Sequence, residues 1–130
     1  MYEFKKDDII KDELLKNEKE KILSFLYFTA SWCGPCKRVY PSLVDLSKKI
    51  SEQEENNNIK FYKIDINVHE EFTEKCEIKA VPTFFIMNGV VKLGQCSGTD
   101  IETIGNLIVD KVKKYNSIND NNSINDNKEN

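Results

Sequence analysis

Apolar residues recur along this 130-residue chain with two periods, and the alternation between them predicts the elements. "YEF" (2–4) fits a short edge strand. Ile10, Leu14 and Leu15 fall at helical spacing among charges, which predicts an amphipathic surface helix over 7–20. "ILSFLYFTA" (22–30) is a near-continuous apolar run, the pattern of a strand buried on both faces. From Gly34 to Ile50, Val39, Tyr40, Leu43, Val44, Leu46 and Ile50 mark a broad helical stripe, and Pro41 inside it should kink the helix. "IKFYKIDIN" (59–67) reads as a strand and 69–76 as a short helix. "TFFIMNGVVKLGQCSG" (83–98) is two apolar runs meeting at Asn88-Gly89, a strong hairpin signal. Ile101, Ile104, Leu107, Ile108, Val112 and Tyr115 mark a closing helix. The order is βαβαβαββα, an α/β domain that ends in an antiparallel hairpin and a helix.

Composition narrows this to one domain over 1–115 and a tail over 116–130. The tail, "NSINDNNSINDNKEN", repeats "NSINDN", is polar, and has too little to bury to offset the entropy of ordering, so disorder is expected there. The net charge of -3 leaves no basic footprint for nucleic acid or an anionic membrane. No apolar run approaches membrane-spanning length, and the charged N-terminus lacks the apolar stretch of a signal peptide. A cytoplasmic monomer is the expectation. Four cysteines are too few, and too unevenly spread, for a disulfide scaffold.

The chemistry concentrates in "SWCGPCK", Ser31 to Lys37. Cys33 and Cys36 stand three positions apart where the buried strand gives way to the long helix. Pro35 suits the first helical position, since its missing N–H is one the helix start leaves unpaired. Cys33 then meets unpaired N–H groups and the positive end of the helix dipole, which favour its thiolate. Cys36 lies one turn later within disulfide reach, and Lys37 and Arg38 add positive charge. An exposed thiolate could attack a disulfide while its neighbour waits to resolve the mixed disulfide. Zinc competes poorly: structural sites need four ligands, and here one pair stands with a single histidine, His69, and the isolated Cys76 and Cys96. A permanent staple is also weak, because the loop it closes is tiny.

With "SWCGPCK", Pro41, "AVPTFFIMNGVVKL" and "SGTDIETI" in matching type and spacing, the chain resembles the thioredoxin family over about residues 2–115. That resemblance implies the thioredoxin fold, a central mixed sheet flanked by helices. It implies a protein disulfide reductase with Cys33 as nucleophile and Cys36 as resolving thiol. It implies a cis Val81-Pro82 bond that turns the Val81 backbone toward an extended substrate segment. Trp32 would offer substrate a flat apolar contact, and Gly98 would allow close backbone approach. Gly34-Pro35 favours a reducing couple, whereas disulfide isomerases typically carry a histidine there. Electrons would come from NADPH through a thioredoxin reductase, with no cofactor bound, and the partners would be that reductase and disulfide-containing proteins.

The chain departs from the family at Tyr27. Most thioredoxins place a buried aspartate there, the proposed proton acceptor for the second cysteine. Tyrosine at that position is similar to tryparedoxins and nucleoredoxins, although those carry Pro-Pro between the cysteines. A phenol with an ordinary pKa of about 10 is a poor base near neutrality. The expectation is that Tyr27 or bulk water activates Cys36, with Lys63 nearby as a tuning residue deprived of its usual carboxylate partner. Cys76 and Cys96 are expected to pack as small hydrophobes. Asp65 and Glu70 read as solvated surface groups, and His69 as a helix-start residue without chemistry. A binding module using the same surface with little turnover is the competing class, and an oxidase or isomerase of a secretory compartment is a third.

Overall fold

A computed structural model describes the backbone of residues 1–129 and the side chains of residues 1–119. The elements run β1 (Tyr2–Glu3), α1 (Ile10–Lys19), β2 (Leu23–Thr29), α2 (Gly34–Ser51), β3 (Ile59–Asp65), α3 (Glu70–Lys75), β4 (Thr83–Asn88), β5 (Val91–Ser97) and α4 (Ile101–Glu129). This is the order expected from the apolar pattern. The sheet order is β1-β3-β2-β4-β5. β1, β3 and β2 are parallel, while β4 and β5 run antiparallel.

β2 is the central strand, and all seven of its residues are buried. Its pleat sends alternate side chains to the two faces. Leu23, Phe25 and Tyr27 join a core with Val39 and Leu43 of α2 and with Ile104 and Ile108 of α4. Leu26 and Phe28 join the second core, under α1 and α3, with Leu14 and, at its margin, Phe72. A continuous apolar run is what such a doubly covered strand requires.

The ends of α1 and α3 explain two unusual backbones. Lys21 and Glu77 have φ of 61° and 56°. Ile22 N–H donates to Asn17 O and Lys21 N–H to Glu18 O, and the pattern repeats with Ile78 to Thr73 and Glu77 to Glu74. These are Schellman terminations, which need a left-handed residue just past the helix, here without glycine.

The hairpin forms as expected, but its two-residue turn is Gly89-Val90, between paired Asn88 and Val91. Gly89 has φ 59°, and Val90 is absent from the positive-φ residues. The glycine therefore leads the turn, in the Gly-first hairpin pattern rather than the Asn-Gly one. α2 begins at Gly34, where the apolar stripe starts, so that Pro35 is its second helical residue rather than its first, and it continues through Pro41. The Asn-rich stretch from 116 lies on the backbone of α4, and the side chains of 120–130 fall outside the described residues, so its expected disorder stays an expectation. The side chain of Asn116 itself pairs with Asn58 and with the Glu55 carbonyl.

Candidate functional site

The parallel strands β2 and β3 end, and β4 begins, at the same edge of the molecule. α2 starts there as well, and its first turn carries the cysteines. Cys33 is the N-cap of α2, and Cys36 N–H donates to Cys33 Sγ at 3.2 Å. A side chain accepting from the third helical N–H is ordinary capping geometry, performed here by sulfur. The same contact stabilises a thiolate at Cys33 once the pair is reduced. Cys33 and Cys36 are joined as a disulfide with Cα atoms 5.3 Å apart.

One expectation needs correction. Cys33 is not an exposed sulfur: the residue is 4% exposed, and Cys36 is 1% exposed. Cys33 sits between the helix start and Val81, whose carbonyl oxygen is 3.8 Å from Sγ. Trp32 takes the outward position and is 67% exposed. Trp32 and Val81 thus form the rim beside the Cys33 sulfur.

The Val81–Pro82 bond is cis. Gly98 N–H donates to Pro82 O at 3.2 Å, which ties the end of β5 to this loop. Gly98 has φ 99°, and an added Cβ would meet nothing within 4 Å. The backbone conformation demands glycine there, rather than crowding within the folded chain.

Trp32 Nε1–H donates to Asn67 Oδ1 at 3.0 Å, and Asn67 N–H donates to Asp65 Oδ1 at 2.8 Å. These bonds fix the indole over the loop after β3. The apolar pattern carries no signal for Asn67, whose partner lies 35 residues away.

Behind Cys36, a cleft of about 340 Å³ opens between α2 and the β1–β3–β2 side of the sheet. Tyr27 lies within it, yet its hydroxyl donates to the Cys36 backbone carbonyl at 2.9 Å. Burial pushes the Tyr27 phenol above its usual range. Of the two acceptors expected for the Cys36 proton, Tyr27 and bulk water, the phenol is engaged as a donor to the Cys36 backbone rather than to its sulfur. Lys63 stands opposite Tyr27 in the ladder. Its ammonium lies 3.8 Å from Glu3 and 4.5 Å from the Tyr40 ring centroid. Glu3, itself largely exposed, is the carboxylate nearest to that ammonium among the described ion pairs. Asp65, expected to be a solvated surface group, is half-buried and lines the same cleft.

Cys76 and Cys96 are partly buried and pack against the two cores, as expected. Burial pushes Cys76 up to about 11 and Cys96 in the same direction. His69 occupies the N-cap position of α3 without a side-chain capping bond; it is buried and places Nε2 3.1 Å from Phe4 O, a structural role. Among the described residues, no group of three or more His, Cys, Asp and Glu could hold a metal, and no helix is long and apolar enough to cross a membrane. A larger cavity, about 980 Å³, wraps the β1 edge between α1 and α2, away from the cysteines.

A disulfide at a helix start, ringed by a cis proline and an exposed indole, defines a thiol–disulfide oxidoreductase. The thioredoxin family profile matches residues 4–114. Thioredoxin of Sus scrofa is 35% identical over 100 residues, covering 74% of this chain and 89% of the relative. Thioredoxin of Ictalurus punctatus is 34% identical over 96 residues, covering 74% and 85%. The solution structure of oxidised Plasmodium falciparum thioredoxin is similar, with TM-score 0.70 and 27% identity over 86% of this chain and 99% of that one. A wild-type poplar thioredoxin h shares the fold, with TM-score 0.75 and 23% identity over 85% and 95% of the two chains. The chain belongs to the thioredoxin family, and its activity is disulfide reduction of the thioredoxin type through the Cys33–Cys36 pair.

Proposed function

We propose that Cys33 is the attacking sulfur and Cys36 the resolving one, in a reductase that draws electrons from NADPH through a thioredoxin reductase. The observation that carries the assignment is the Cys36 N–H directed at Cys33 Sγ. It favours negative charge on the first sulfur and leaves the second deeper in the fold. The Cys33 thiolate attacks a substrate disulfide, one substrate sulfur leaves, and a mixed disulfide forms. Cys36 then attacks Cys33, the second substrate sulfur leaves as thiolate, and two electrons have passed to the substrate.

The substrate would lie extended across Trp32, cis-Val81-Pro82 and Gly98, pairing with the Val81 backbone in a brief strand addition. Gly34-Pro35 and Lys37 in the first turn set the couple toward reduction, with Lys63 a further charge nearby. The reading takes the protein as a monomer in the cytoplasm, whose reducing poise suits the dithiol form. Two measurements test the reading. Insulin reduction in the presence of NADPH and a thioredoxin reductase should be lost in Cys33→Ser. Cys36→Ser should retain substrates as mixed disulfides at Cys33; trapping at Cys36 in the converse variant would reverse the assignment.

A further inference from the structure

Resolution requires that Cys36 lose its proton, and the residue that usually takes it is replaced by a phenol already committed to donating. Two carboxylates remain in the cleft behind Cys36, Glu3 and Asp65. The Glu3 side chain is 56% exposed and is engaged with Lys63. Asp65 stands opposite Thr29 at the end of β3 nearest the cysteines. Its Oδ1 is fixed by the Asn67 N–H, and its Oδ2 has no partner among the described residues.

Resting on the assignment of Cys36 as the resolving thiol, we propose that Asp65 receives the Cys36 proton through water in this cleft. The carboxylate that the family keeps on the strand leading into the cysteines is thereby supplied from the next strand. The balance is simple. Cys36 S–H gives its proton to water, which passes one to Asp65. The Cys36 thiolate attacks Cys33 Sγ, the Cys33–Cys36 bond forms and the Cys33–substrate bond breaks. The substrate leaves as thiolate and takes up a proton from solvent, and half-buried Asp65 returns its own to solvent.

The other groups facing the cleft fit this role. Tyr27 on β2 and Tyr40 on α2 are phenols, unsuited to accept a proton near neutrality. Lys63 on β3 and Lys37 on α2 are cations, and as such have no acceptor. Glu3 on β1 is the one rival, and the experiment includes it.

The test uses a symmetric aromatic disulfide, 5,5′-dithiobis(2-nitrobenzoate), on the fully reduced chain in stopped flow. Attack by Cys33 releases the first coloured thiolate, and attack by Cys36 releases the second. Asp65→Asn keeps an oxygen for the Asn67 N–H. It should slow the second release about tenfold or more near neutrality, leave the first within about twofold, and lose its defect as pH rises toward the ordinary thiol range. Asp65→Glu should recover part of the rate, and Glu3→Gln should leave the second release unchanged. An unchanged second release in Asp65→Asn, equal slowing of both releases, or slowing confined to Glu3→Gln overturns the proposal. Failure of the underlying assignment looks different: first release would then persist in Cys33→Ser.

Discussion

The Tyr27 hydroxyl donates to the Cys36 carbonyl oxygen at 2.9 Å, so the phenol grips the backbone of the resolving cysteine and not its sulfur. Its ring stacks on Phe84 and Tyr40, at 5.4 and 6.1 Å between centroids. Tyr27→Phe keeps this packing and deletes one buried bond. The expected cost is about 1 kcal/mol of unfolding free energy in urea. The pH–rate profile of disulfide reduction should keep its shape; loss of its alkaline limb would show the phenol acting as a base.

Cys76 and Cys96 make stability fall at high pH. Burial raises Cys76 from 9.0 to about 11, and raises Cys96 and Tyr27 in the same direction. For a raised folded-state pKa, the stabilisation is complete below the unfolded value, where both states hold the proton. It shrinks as pH rises from about 9, because the unfolded chain ionises first, and is gone above about 11. Urea midpoints of the oxidised protein should decline over this window, and Cys76→Ala should flatten the decline. Midpoints constant from neutrality to about pH 10.5 would contradict the burial described here.

Trp32 and Asn67 act together. Trp32→Ala removes the exposed apolar contact and should raise KM for a protein disulfide several-fold, with a smaller change in kcat. Asn67→Ala releases the indole and should give a weaker change of the same kind. A normal KM in both variants would mean that substrate docks elsewhere.

The helix terminations offer a stabilising change. Lys21 is forced to φ 61°, where a side chain costs roughly 1–2 kcal/mol and glycine does not. Glycine also loses more freedom on folding. Lys21→Gly should therefore gain up to about 1 kcal/mol and raise Tm by a few degrees. A lower Tm would show that contacts of the Lys21 stem outweigh the backbone term.

A buried amide joins α1 to the sheet. Asn17 Nδ2 donates to Ser24 Oγ at 3.0 Å and to Tyr62 OH at 2.8 Å, and Tyr62 OH donates to Glu13 at 2.7 Å. Asn17→Ala leaves two buried oxygens short of a donor and should cost about 2–4 kcal/mol in chemical unfolding. A loss below about 0.5 kcal/mol would show that the network rearranges freely.

The features legible in the sequence were those carried by neighbouring letters. β2 announced itself because burial on both faces leaves no charged position to break the run. Cys33 and Cys36 could be placed because a helix start fixes groups three residues apart, whereas the cis Val81-Pro82 bond was expected only through the family resemblance, since an X-Pro pair by itself favours trans. Asp65, Asn67 and Asn17 were not legible. Each works through a partner on another element, and a polar residue at a strand end or on a charged helix looks solvated until the fold covers it. Glu3, at the very edge of the sheet, gave no hint that it would answer Lys63. The burial of Cys33 was missed for the same reason, since the carbonyl that shields it comes from Val81, 48 residues away.

The β-hairpin tip at Gly89-Val90, the loop at 52–58 and the Asn116–Asn58 pair lie at the end of the sheet opposite the disulfide. Val90 is 52% exposed there. A chemical tether or dye attached at that tip would anchor the molecule to a bead or electrode with its redox end facing the liquid. The strand polarity that gathers the chemistry at one pole thus leaves the other free as a handle for an immobilised reductase.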